Sequence, residues 1–180
     1  MDKTFDMFWE TEVPENELII SRTNLNGIIT YVNETFARIS GYTPEELIGK
    51  PHNIIRHPDM PASVFKELWE TIKSGKTWRG YVKNLRKDRG YYWVYAEISG
   101  VYKDGQLIEY KSMRAPVSRE KKKQMQDKYD RMREEEGGKV RVVMYLEKET
   151  YDKLESLAEK LGVSGEEALK RLLENSQDII

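Results

Sequence analysis

"TWRGYVKNLRKDRGYYWVYAEISGVYKDGQLIEYKSMRAP", residues 77–116, decides the fold. Three runs rich in aromatic and β-branched residues, TWRGYVKNL, GYYWVYAEISGVY and QLIEYKSMRAP, are separated by the polar breaks RKDRG and KDG. Glycine-bearing breaks of this length join neighbouring antiparallel strands, so the stretch is predicted to be a three-stranded meander. The strand period of two then places Trp78, Gly80, Val82 and Asn84 on one face. That face combines an aromatic plane, a gap where a ligand can approach the backbone, an apolar wall and an amide, a set suited to a flat heterocycle.

Upstream, ELIISRTNLNGIITYVN reads as two short strands turned at Asn24, Leu25, Asn26 and Gly27, residues that tolerate positive φ. ETFARIS and TPEELIG have helical spacing, the second with Thr43 as N-cap, Pro44 at the first helical position, Glu46 completing a capping box and Gly49 as a stop. PASVFKELWETIKSG is a longer helix with Val64, Leu68 and Ile72 on one stripe and Gly75 at its end.

Composition limits the function classes. The chain has 180 residues, 38% of them hydrophobic, enough for one domain with its own core and a smaller module. A net charge of -1 gives no general attraction to nucleic acid or an anionic membrane, so such a partner has to be argued from a local patch. The absence of cysteine removes disulfides, thiolate nucleophiles, zinc–thiolate sites and iron–sulfur clusters. Residues 1–17 carry acids throughout and no long apolar run, which predicts neither a signal peptide nor a membrane span and a cytoplasmic location. No nucleophile–base pair, metal-ligand set or phosphate loop stands out, so the protein is not expected to be an enzyme.

Both histidines fall in HNIIRHPDMP, residues 52–61. Asp59 as a helix cap followed by Pro61 accounts for part of this stretch. Capping does not need Arg56 or His57, whose donors can meet phosphates or ring carbonyls, while the Asp59 carboxylate can orient one of them or accept from a ring N–H.

Two strands, short helices and a meander are the element order of a PAS domain, a sensor fold with a ligand cavity between its helices and the concave face of its sheet. Residues 27–94, GIITYVNETFARISGYTPEELIGKPHNIIRHPDMPASVFKELWETIKSGKTWRGYVKNLRKDRGYYWV, resemble the FAD-binding PAS domain of bacterial aerotaxis receptors, and the resemblance extends over residues 18–116. It implies that Arg56, His57, Asp59, Trp78 and Asn84 bind FAD, and it leaves His52 as a structural or surface residue. Blue-light PAS domains form a flavin–cysteine adduct, which a chain without cysteine cannot make. Electron chemistry at a non-covalent flavin, whose redox states differ in charge, protonation and hydrogen bonding, is therefore expected. Haem b, with His57 as axial ligand, is the alternative cofactor.

Residues 117–138 form a charged segment in which Met125, Tyr129 and Met132 make a thin helical stripe, compatible with one side of a short coiled coil, before Gly137 and Gly138 break it. From Lys139 on, one alternating strand precedes two helices, predicted over 148–161 and 165–175, with Gly162 as a stop and Ser164 with Glu167 as a capping box. About forty residues with a single strand cannot close a core alone, so this module is expected to form a homodimer. It resembles the ribbon-helix-helix fold of small bacterial repressors, in which paired strands enter the DNA major groove. By position the resemblance implies that Arg141, Val143 and Tyr145 read bases and that the amides at Ser164 and Gly165 anchor a phosphate. Seven basic residues against nine acidic ones from Lys139 onward oppose that role.

The expected organisation is α+β throughout: an N-terminal extension (1–17), a PAS domain with an antiparallel sheet and helices over a ligand cavity (18–116), a charged linker helix (117–138), a dimeric ribbon-helix-helix module (139–176) and a tail (177–180). The implied function is a redox- or oxygen-responsive transcriptional regulator, or alternatively a redox-sensing protein whose C-terminal module only dimerises or docks a partner.

Overall fold

The structure, a computed structural model, describes residues 9–137 and 148–175 and divides into two compact units, one of which contains residues 9–137 and the other 148–175.

In the first unit β1 (Ile19–Thr23) and β2 (Ile29–Val32) are followed by helices α1 (Glu34–Ser40) and α2 (Pro44–Leu47), a 3-10 turn (His52–Ile55) and helix α3 (Ala62–Lys73). Strands β3 (Trp78–Leu85), β4 (Tyr91–Lys103) and β5 (Gln106–Ala115) form the meander, and helix α4 (Arg119–Glu135) leaves it. The strands make one sheet of order β2-β1-β5-β4-β3, antiparallel throughout. Closing β1 against β5 carries the first hairpin across to the far end of the meander.

Local chemistry accounts for the turns. The β4–β5 connection is Asp104-Gly105, both at positive φ between the paired residues Lys103 and Gln106, which is the two-residue turn whose twist matches an antiparallel pair. Asn24 Oδ1 accepts from the amides of Asn26 and Ile28 and holds the first turn. Thr43 and Glu46 make the reciprocal capping box of α2.

Alternation divides the sheet into two covered faces. Register places Trp78, Gly80, Val82 and Asn84 opposite Ile98, Ala96, Val94 and Tyr92. On β5 the same face continues with Ser112 and Arg114, and on β1 with Ile19 and Ser21. Helix α3 presents buried Val64, Leu68 and Ile72 to the core.

The opposite face is covered by α4. Tyr129 stacks on Trp93 at 6.1 Å, and its hydroxyl donates to the Tyr81 carbonyl at 2.6 Å. The stripe Met125, Tyr129 and Met132 therefore packs within the domain, with Met125 and Tyr129 in its core. Helix α4 also supplies the missing cap of α3. Pro61 occupies the N-cap without a side-chain hydrogen bond, and the Glu136 carboxylate accepts from the amides of Ala62 and Ser63, at 2.9 and 3.0 Å.

In the second unit helices α5 (Lys148–Leu161) and α6 (Gly165–Asn175) form a hairpin around Leu154, Ala158 and Ala168. Gly162 turns it at φ 63°, and Ser164 Oγ accepts from the Glu167 amide at 3.2 Å. The strand expected before α5, with Arg141, Val143 and Tyr145, lies outside the described residues.

Candidate ligand-binding site

A cavity of about 260 Å³ lies between the inner face of the sheet, the 3-10 turn and α3. The sheet contributes Val82, Asn84, Ala96, Ile98, Ser112 and Arg114, and α3 contributes Phe65, Leu68, Trp69 and Ile72. Apolar walls with a few fixed polar groups are the usual makeup of a small-molecule pocket.

Two of the five sequence-implied residues line this cavity. Asn84 is buried on the central wall, and Nδ2 of its amide makes no hydrogen bond. The Tyr92 hydroxyl opposite, which burial pushes up to about 12, lies beside that amide without closing a hydrogen bond. Arg56 bridges to Asn84 through the backbone and sets its guanidinium 4.1 Å from the centre of the Phe65 ring. The third, Trp78, is on the same sheet face but not in the lining; its indole lies over Gly80, and its buried Nε1 has no hydrogen-bond partner.

His57 and Asp59 are directed elsewhere. Asp59 Oδ2 meets Lys83 Nζ at 2.6 Å, and Lys83 belongs to the outward set of β3. Lys83 Nζ also donates to Gln126 of α4 at 3.0 Å and lies 4.3 Å from the centre of the Tyr91 ring. Arg133 of α4 approaches Asp59 at 4.0 Å. The His57 ring packs edge-on against Tyr91, and its Nδ1 accepts from the Asp59 amide at 3.0 Å. The RHPD stretch thus divides: Arg56 faces the cavity, while Asp59 reaches Lys83 of β3 and Arg133 of α4, and His57 packs on Tyr91.

The opposite wall is a polar cluster that sequence reasoning missed. His52 Nε2 lies 2.8 Å from Arg114 Nη2 and 3.2 Å from Ser21 Oγ, and Arg114 Nη1 donates to Ser21 Oγ at 3.1 Å. Since guanidinium nitrogens only donate, Nε2 is the accepting nitrogen and the ring proton sits on Nδ1. The Ser112 hydroxyl, also buried and lining the cavity, has no hydrogen-bond partner.

His52 is lowered to about 3, first by burial and then by the Arg114 charge. The folded chain therefore keeps His52 neutral, whereas an unfolded histidine takes up a proton below about pH 6.5. Unfolding binds that proton, so stability is lost as pH falls through and below the unfolded value. The expected result is a thermal midpoint that falls between about pH 7.5 and 5, and a shallower fall in His52→Gln. Equal acid sensitivity in the two proteins would remove His52 as the cause.

The unsatisfied Asn84 amide and Ser112 hydroxyl fit a planar heterocycle with both donors and acceptors on its edge, as a flavin has. His52 is the histidine that lines the cavity, and its accepting nitrogen is engaged by Arg114 and Ser21. Among the described residues no group of three or more His, Cys, Asp or Glu could hold a metal ion, and no helix is long and apolar enough to cross a membrane.

One antiparallel sheet of this strand order, with helices enclosing a cavity on one face, defines a small α+β domain built around a cavity. Residues 29–114 match the PAS fold family, and this part of the chain is a PAS domain. It is 42% identical over 110 residues to the aerotaxis receptor of Escherichia coli, a match covering 61% of this chain and 22% of that one. The nitrogen fixation regulatory protein of Klebsiella pneumoniae is 30% identical over 109 residues, covering 60% and 22%. The bacterioopsin transcriptional activator of Halobacterium salinarum is 29% identical over 108 residues, covering 59% and 16%. The chain thus spans less than a quarter of the length of these relatives. Among solved structures, the dark state of the blue-light photoreceptor Aureochrome1 LOV shares the fold, with a TM-score of 0.55 and 18% identity over 61% of this chain and 83% of that one.

Proposed function

We propose that this protein is a redox- or oxygen-responsive signalling protein that binds FAD non-covalently in the PAS cavity and transmits the flavin's state to its C-terminal module. The observation that carries the reading is the buried Asn84 amide on the central wall, with Nδ2 unsatisfied and Ser112 Oγ likewise unsatisfied on the same sheet face. Similarity to the aerotaxis receptor supports flavin as the ligand. The cavity volume suits the ring system rather than a whole dinucleotide. The position of His57 outside the cavity lining, and the engagement of the lining His52 by Arg114 and Ser21, favour flavin over haem b. With no cysteine available for an adduct, the signal is electron transfer to the bound ring.

The output in this reading is a homodimeric ribbon-helix-helix module that binds double-stranded DNA. The α5–α6 hairpin supports it: three buried small and aliphatic residues are a slight core, while Leu161 and Leu172 remain 44% and 48% exposed. We expect a fragment of residues 139–180 to sediment as a dimer; a monomer at tens of micromolar, about ten times an ordinary micromolar affinity, would remove this model. Full-length protein should enrich a sequence from random duplexes differently with its flavin oxidised and reduced. Arg141→Ala should weaken that binding by about 1 to 3 kcal/mol. A dimer that enriches no sequence in either state would leave a signalling protein whose C-terminal module only dimerises or docks a partner.

A further inference from the structure

The cavity wall holds a buried positive charge with no counter-ion. Arg114 is 4% exposed, and its guanidinium is hydrogen-bonded to Ser21 and His52 and lies 5.1 Å from the centre of the Phe36 ring. The groups facing it are neutral: Ser21 from β1, Phe36 from α1, His52 from the 3-10 turn with its pKa lowered, and Tyr92 from β4 with its pKa raised. Among the described residues no carboxylate is paired with Arg114. Burial, partly offset by Tyr92, lowers the guanidinium to about 10, so it remains charged. Removing an arginine from water without an anionic partner is costly, and a fold that keeps such a charge beside a cavity is complete only when something negative enters. Ser112 Oγ, buried two residues earlier on the same face of β5, adds an unpaired polar group to the same wall.

We propose that Arg114, oriented by His52 and Ser21, is the electrostatic partner of a negative charge on the ring system bound in the cavity, so that the protein binds reduced flavin as an anion and more tightly than oxidised flavin. This rests on the flavin reading above. Reduction of the ring by an external chemical reductant adds two electrons. With two protons taken up the ring stays neutral, and with one it keeps a net negative charge. The guanidinium favours the second outcome because its charge is fixed and desolvated before the electrons arrive.

The test uses the full-length protein loaded with FAD. The two-electron midpoint potential, measured against redox dyes at several pH values near neutrality, should fall by about 30 mV per pH unit, the slope for uptake of one proton per two electrons. Arg114→Gln should bind oxidised FAD within a few-fold of wild type but lose at least tenfold in its preference for reduced over oxidised FAD, a fall of about 30 mV in the two-electron potential. Its proton uptake should move toward two. Arg114→Lys, which keeps the charge, should retain most of both properties.

Uptake of two protons by the wild type overturns the proposal whether or not any variant folds. So does a folded Arg114→Gln protein with an unchanged potential. Equal weakening of oxidised and reduced FAD by Arg114→Gln also overturns it, because the arginine would then hold a charge the cofactor already carries, such as its phosphate. A protein that takes up no FAD at all fails earlier and removes the flavin reading itself.

Discussion

Asp59→Ala should destabilise the PAS domain by about 3 to 5 kcal/mol, the usual consequence of leaving one partner of a buried ion pair without the other. The side chain of Lys83 is 3% exposed and that of Asp59 14% exposed, and their contact is 2.6 Å. Removing the carboxylate leaves the ammonium held by Gln126 and by the faces of Tyr91 and Trp93, which cannot neutralise it. The same change removes the core carboxylate that Arg133 approaches at 4.0 Å and leaves that arginine its pairing within its own helix, with Asp130 at 2.5 Å, so α4 should loosen from the sheet at its C-terminal half. Urea denaturation checks the magnitude, and tyrosine and tryptophan fluorescence checks the Trp93–Tyr129 stack. The double variant Asp59→Leu, Lys83→Met should recover much of the loss, since two apolar groups leave no charge buried. A loss below about 1 kcal/mol in the single variant would mean that the pair is solvated and that Asp59 is free to serve the ligand directly.

Gly80→Val should lower FAD affinity by at least tenfold, about 1.4 kcal/mol, while costing the fold about 1 to 3 kcal/mol. A Cβ at this position would lie 2.4 Å from Cη2 and Cζ2 of Trp78, so the indole has to leave its place over residue 80. Trp78 is buried, and Ile98 and Ala96, which pair in register with Trp78 and Gly80, both line the cavity. The displaced ring therefore enters the space the ligand needs. Fluorescence titration with FAD measures the effect, and circular dichroism confirms that the variant is folded. Unchanged affinity in a folded Gly80→Val protein would place the ligand away from this part of β3.

What was legible in the sequence was local. The capping box at Thr43 and Glu46, the Asp104-Gly105 turn and the bounds of α5 and α6 depend on contacts a few residues apart, and the structure has them where the pattern placed them. The shared face of Trp78, Gly80, Val82 and Asn84 followed from strand period alone. The polar wall was not legible, because Ser21, His52 and Arg114 are separated by as many as 93 residues and meet only when β1 closes on β5. Strand period puts Lys83 on the face opposite Trp78, Gly80, Val82 and Asn84, but nothing in the charged sequence of residues 117–138 shows that this helix covers that face. Its apolar anchor is only Met125, Tyr129 and Met132, a stripe equally suited to another chain. Once α4 is in place, Lys83 is buried, and Asp59 is drawn to it rather than to the cavity.

The absorption spectrum of the full-length protein as purified tests the central claim most directly. The flavin reading predicts a yellow protein whose visible bands are those of oxidised flavin and whose chromophore, released on denaturation, is unmodified FAD at about one per chain. A colourless protein that takes up no added FAD, or one with the Soret band of haem, would contradict it.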